Sequence, residues 1–309
     1  KTLTPDQEIR ELAGREIWFK SAPNDRFHSY YFPQKLGSPI AWYKILRADR
    51  HDKRFQSYGL INDPDCCIPG ETCKEKGLLY HGKEPTMEQT FGWEYCDGDQ
   101  ALLDSVHEGK AWSDPACKNP IIAAADQLDK RGRENSCELA FGNPTGAVGY
   151  RKFPNPRFNK ARWDKIGGWE GYEQRMTESE IDGSIEPPFR VGKACASCHA
   201  AFDPLNPPAD LHNPTWKNIK GETGNQYINV SAILGSGAHQ NSIEYQMFVH
   251  ARAGALDTSA VGHDFVNNPG TINALINLDQ RPEFQNEDVS RWDVSDQPCG
   301  ESDNCQAIT

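Results

Sequence analysis

Cys195, Ala196, Ser197, Cys198 and His199 form a CxxCH pentapeptide. Two thiols three residues apart, followed at once by an imidazole, are the arrangement through which a c-type haem is attached. Each thiol adds to one vinyl group of the porphyrin. The histidine that follows ligates the iron from the proximal side. Two other chemistries use paired thiols. A structural zinc ion needs four closed ligands, and the sequence holds no second CxxC and no HxxxH. A thioredoxin-like dithiol belongs in a βαβ setting, which the sequence pattern lacks. The pentapeptide therefore predicts one covalently attached haem c, with Cys195 and Cys198 as attachment points and His199 as proximal ligand.

The sixth position on such an iron separates the functions. With two protein ligands the iron passes electrons; with one it can bind dioxygen or peroxide. Met247, His250 and His263 follow the pentapeptide and are the candidate distal ligands. Each also has an ordinary reading, as a gap-filling core methionine or a hydrogen-bonded histidine. An open site would be lined by apolar groups such as Ile233 and Phe248. A peroxidase would need a distal acid or base, for which Glu244 and His263 are the candidates. Arg190, just ahead of the pentapeptide, is the candidate donor to the haem propionates. Arg151, Lys152 and Arg157 form a basic island that serves either the same purpose or a solvated face. Trp163, Trp169 and Trp216 could carry an electron outward or simply pack. No loop carries the ligand periodicity of a calcium site.

The chain has 309 residues, far more than a simple mono-haem carrier requires. Its net charge of -11 disfavours nucleic acid and anionic membranes as partners and permits a basic redox protein. No run approaches the roughly 18 apolar residues of a membrane-spanning helix. No basic-then-apolar leader is present; because haem c is attached outside the cytoplasm, a periplasmic or extracellular bacterial protein is expected, in a mature form without its signal peptide. Eight cysteines remain outside the pentapeptide: Cys66, Cys67, Cys73, Cys96, Cys117, Cys137, Cys299 and Cys305. An even, high number suits an oxidising compartment and up to four disulfides. Adjacent Cys66 and Cys67 should reach different partners, and Cys299 and Cys305 could close a small loop.

The elements that must position these groups read mainly as α-helix. Thr4 caps a helix over 5–20 that opens on Pro5, Asp6 and Glu8. Further helices are expected over about 39–48, 99–108, 120–130, 191–202 and 242–253, with a short one after Gly270. The 26 Gly and 21 Pro demand abundant loops, above all over 59–120. Pro154 and Pro156 force the stretch 150–158 to be extended. The expected fold is thus mainly α with long irregular loops: a cytochrome c-like haem core over 151–309, and a helical, Cys-rich, disulfide-stapled region over 1–150 packed on it, the two forming either two domains or one continuous domain.

GREIWFK (14–20), GLINDPDCC (59–67), RKFPNPRF (151–158), CASCHAAFDPLNPPADL (195–211) and NNPGT (267–271) resemble the N-terminal haem half of bacterial rubber oxygenases. Those proteins belong with the di-haem cytochrome c peroxidases. The resemblance implies a secreted, mostly helical c-type haem protein whose haem has an open distal side. The chain departs from that pattern by carrying one CxxCH and not two. Three functions follow as expectations. The first is a mono-haem c-type cytochrome acting in electron transfer. The second is a haem-dependent oxygenase or peroxidase. The third is a structural haem subunit that wires further haem subunits together, as a homo-oligomer or in a multi-chain assembly.

Overall fold

The computed structural model describes residues 4–22, 40–110, 112, 141–172, 185–222, 224–225, 227–229, 232–233, 235–237, 241 and 245–246. The chain divides into two units, Lys1–Ala251 and Arg252–Thr309, and every described residue lies in the first.

Helix α1 spans Pro5–Lys20 as its cap predicts. The Thr4 hydroxyl accepts from the Gln7 amide, and the Gln7 side chain accepts from the Thr4 amide, a reciprocal capping box. α2 (Trp42–Leu46) and α3 (His51–Tyr58) follow, joined through a single 3-10 turn. Strand β1 (Cys66–Cys67) pairs antiparallel with β2 (Tyr95–Cys96). α4 spans Asp99–Glu108, entered and left through left-handed glycines at 98 and 109. Next, β3 (Asn143–Pro144), β4 (Tyr150–Pro154) and β5 (Phe189–Lys193) make a three-stranded antiparallel sheet, with α5 (Lys160–Lys165) between its last two strands. Finally α6 (Ala196–His199) leads into β6 (Ala200–Phe202), which pairs with β7 (Ile219–Gly221).

This corrects the mainly helical expectation. Helix makes up 36% and strand 16% of the interpretable residues, in three small antiparallel sheets, and no cytochrome-like haem core is formed among them. The physical reason lies around the pentapeptide. The stretch 191–202 is not one helix: Phe189–Lys193 pairs along its full length with Tyr150–Pro154, and Ala200–Phe202 pairs with Ile219–Gly221. Only one turn of helix remains between two strands. Phe189 and Val191 alternate inward with half-buried Arg190, a two-residue period masked by Gly192 and by proline upstream. The helices expected over 120–130, 242–253 and after Gly270 lie wholly or mostly outside the described residues.

The interior is held by charge as well as by apolar packing. Arg54 is fully buried and every arm of its guanidinium is bonded. Nε donates to the Ile45 carbonyl at 3.2 Å, and Nη1 donates to Asn62 Oδ1 at 2.6 Å and to the Gly146 carbonyl at 2.7 Å. Nη2 reaches the Arg47 carbonyl at 3.2 Å and Glu94 Oε1 at 2.7 Å. One side chain thus takes up carbonyls that α2 leaves unpaired at its C-terminus. Glu94 is also buried. Burial pushes its carboxyl up, yet Arg54 and the neighbouring His51 outweigh that and hold it below the usual range. A second buried pair joins Lys152 Nζ to Asp99 Oδ2 at 2.6 Å, and Lys152 also donates to the Glu94 carbonyl at 2.9 Å.

Two of the three cations of the basic island are therefore interior and not part of a solvated face. Lys152 is buried in the ion pair just described. Arg151 is buried and donates to the carbonyls of Phe141 and Gly142 at 2.8 and 2.6 Å. Arg157 alone is exposed, and it pairs with Glu186.

Four cysteines of the loop-rich stretch are bonded as Cys66–Cys96 and Cys67–Cys73, so the adjacent pair does reach different partners. Cys117, Cys137, Cys299 and Cys305 lie outside the described residues.

Two outcomes follow for stability. Glu94→Gln leaves Arg54 buried without its counter-charge and should cost about 3–5 kcal/mol in urea unfolding. Asp63 is buried, and burial together with the charge of Asp65 raises its carboxyl to about 6. The folded protein then holds this proton more tightly than the unfolded chain. Its effect on stability is most favourable below the unfolded value near 4, falls as pH rises through about 6, and is constant above that. Asp63→Asn should stabilise the fold at pH 8 by up to about 3 kcal/mol and have little effect at pH 4.

Candidate functional site

α6 is a single turn, and long-range contacts build it. β5 ends at Lys193. The Ala194 amide then donates to the Gly149 carbonyl at 2.7 Å, turning the chain away from the sheet. Cys195 is already in the right-handed helical region at φ -53°, ψ -39°. The amides of Cys198 and His199 both bond to the Cys195 carbonyl, at 3.2 and 3.0 Å. The Ser197 hydroxyl donates to the Ala194 carbonyl at 2.8 Å and turns inward. Ala196 joins the apolar cluster of Phe19, Ile61, Val148, Ala200, Phe202 and Ile219. Small residues are required on this inner side. Gly149 has φ +77°, and a β-carbon there would stand 2.1 Å from the Ser197 amide nitrogen.

With 196 and 197 turned inward, positions 195, 198 and 199 share the outer face, at i, i+3 and i+4. Cys195 is exposed, and Cys198 and His199 are half-buried. Neither thiol is in a disulfide, in contrast to the four other described cysteines, and Cys198 Sγ lies 3.6 Å from the Ser197 hydroxyl. Behind the turn stands Tyr150. Its buried hydroxyl is pushed well above its ordinary value by desolvation first and by the Cys198 thiol second.

The far end of the turn is held from three directions. The Trp18 indole N–H donates to the His199 carbonyl at 3.2 Å, and the Glu222 amide donates to the same oxygen at 2.9 Å. The Asn225 amide donates to the Cys198 carbonyl at 2.8 Å. The Trp18 ring lies 5.8 Å from the His199 ring, inclined at 59°. These contacts fix the backbone at the C-terminal end of the motif.

Two thiols and an imidazole on one face of a helical turn match the donor set of haem c: thioethers at two points of the ring edge and one nitrogen at the iron. Among the described residues no three His, Cys, Asp or Glu side chains converge as ligands of a single ion.

The other residues expected at the site are scattered. Arg190 is half-buried on β5, opposite Phe153, and not on the outer face of α6. Met247, His250, His263, Glu244 and Phe248 lie outside the described residues. Ile233 is buried. Trp216 donates to Asp65 at 2.7 Å and packs edge-on against Phe19. Trp163 and Trp169 pack with Tyr43 and Tyr172. Trp18, Gly149, Glu222 and Asn225 carry no local sequence signal for their roles; only GREIW within the quoted resemblance points to Trp18.

Gly149→Ala should cost about 2–4 kcal/mol in unfolding and should raise the rate at which a maleimide labels Cys195 and Cys198 in chain without attached haem. No protein-family model, curated protein or solved structure matches this chain.

Proposed function

We propose that this chain is an extracytoplasmic mono-haem c protein that transfers single electrons to or from a redox protein. One observation carries the reading: Cys195, Cys198 and His199 lie at i, i+3 and i+4 on one helical turn anchored through its backbone, and neither thiol is in a disulfide. The two disulfides elsewhere suit an oxidising compartment. Two thiols one turn apart are exposed to oxidants in such a compartment, and conversion to thioethers removes that vulnerability. When bound, the haem supplies a reversible one-electron couple. The chain's own residues fix it: Cys195 and Cys198 as attachment points, His199 as the proximal base, and Ala196 and Ser197 as the inward pegs of the turn. The net charge of -11 favours a partner with a basic docking face. No helix among the described residues is long and apolar enough to cross a membrane.

Production alongside a c-type attachment system should add one haem to the intact mass and give a visible spectrum typical of haem c. Cys195→Ser with Cys198→Ser should abolish the covalent adduct. Carbon monoxide should leave the reduced spectrum unchanged if the iron serves electron transfer. A carbon monoxide shift would overturn the electron-transfer assignment in favour of an open, oxygen- or peroxide-reactive iron. A mass without any macrocycle would overturn the haem reading itself.

A further inference from the structure

Anchoring the backbone of α6 does not by itself fix the imidazole of His199. The torsion that sets the plane of a histidine ring is broad and roughly two-fold, without sharp staggered wells. A neighbour must lie against the ring to narrow it. Trp18 is such a neighbour. Its ring lies 5.8 Å from the imidazole and is inclined at 59°, within the range of a tilted aromatic contact. Its indole N–H donates to the carbonyl of the same residue at 3.2 Å. One side chain of α1 therefore meets both the backbone and the ring of His199.

Trp18 is itself held in place. It packs against the apolar cluster that contains Phe19, Ala196 and Ile219. β7 lies flush with the indole, since a β-carbon on Gly221 would stand 3.2 Å from Nε1 and 3.7 Å from Cδ1. The Glu222 amide, one residue on, donates to the same His199 carbonyl at 2.9 Å. The indole thus touches both β7 and α6, and the two segments close on one oxygen.

We infer that Trp18 is the positioning residue of His199, setting the plane of the imidazole through its own ring. Groups around a ligating histidine commonly fix its ring orientation, and here packing does so from a residue far away in sequence. The service of that imidazole to an iron rests on the haem reading, whereas its orientation does not.

The test is ring dynamics. In chain without haem, carbon-13 relaxation at the His199 Cε1–H bond reports the order of the imidazole, and the His199 amide reports the backbone. Trp18→Leu removes the ring and the donor, and Trp18→Phe keeps a ring and removes only the donor. Trp216→Leu opens the same apolar cluster and serves as the structural control. Trp18→Leu should lower the ring order parameter below about 0.6 while the amide, bonded to the Cys195 carbonyl, stays near about 0.85. Trp18→Phe should retain ring order. Trp216→Leu should lower thermal stability without loosening the ring. With haem attached, the spread of the porphyrin methyl proton shifts in the oxidised protein reports the imidazole plane. It should change in Trp18→Leu and hold in Trp18→Phe. An ordered imidazole in Trp18→Leu, with the methyl spread unchanged, would overturn the assignment. Equal loosening in all three variants would also overturn it, since a merely structural role predicts that result. A parent chain that takes up no haem would overturn the service to iron, and the ring-order comparison would then decide the positioning role alone.

Discussion

The buried guanidinium of Arg54 is the constraint on which the rest of this structure depends. A charge taken out of water is costly unless its donors are met and its sign is balanced. Here both conditions hold, and they hold only if four separate stretches of chain converge. The carbonyls come from 45–47 and from Gly146, the amide oxygen from Asn62 and the counter-charge from Glu94. Displacing any one stretch strands a buried donor. Gly146 shows how tight the convergence is. A β-carbon there would lie 2.6 Å from the Glu94 carboxylate. Lys152 extends the same logic by one strand, since its ammonium ties β4 to both Glu94 and Asp99. A hydrophobic replacement of such a network can equal it in stability. What the network adds is register, because each donor accepts one partner in one place.

That register transmits to the pentapeptide. Lys152 fixes β4, and β4 fixes β5 through five consecutive pairings. The residue just before β4, Gly149, presses its backbone against the first turn of α6 and accepts from Ala194. The motif therefore sits one strand away from the buried ion pairs. Its position follows from polar contacts that lie on the far side of Tyr150. The disulfide Cys66–Cys96 works alongside, because it pins β1 to β2 immediately beside Glu94. It closes the loop-rich stretch that apolar burial alone would hold poorly.

Part of this was legible in the sequence, and the rest was not, for definable reasons. α1 and α4 were readable because their signals are local: a Thr-Pro cap in one, glycines at both ends in the other. The extended stretch at 150 was readable because alternating prolines forbid helix. The divergent partners of Cys66 and Cys67 followed from their adjacency. The strands around the pentapeptide were hidden, because Gly192 interrupts the apolar alternation of β5 and because β6 is only three residues long. Arg151 and Lys152 misled for a different reason. Charge in a sequence reads as surface, and only their partners far along the chain, Asp99 among them, show that these charges are interior. At the candidate site, the CxxCH spacing was visible in the sequence because it lies within one turn. Trp18 was not, because its partner lies 181 positions away.

The same division of labour explains why so short a helix can hold a demanding site. An isolated turn of four residues has no stability of its own. α6 gains its order from outside: from strands on both flanks, from Gly149 beneath it, and from three donors that reach the carbonyls of Cys198 and His199. Each of those contacts uses backbone atoms of the motif or its two small inner side chains. None uses the Cys195 side chain, which is left exposed. A turn ordered through its backbone can present reactive side chains in a fixed arrangement without spending them on its own folding. Preorganisation of that kind is what the proposed covalent attachment at two points would require, because the second bond forms readily only if the first leaves the remaining thiol within reach.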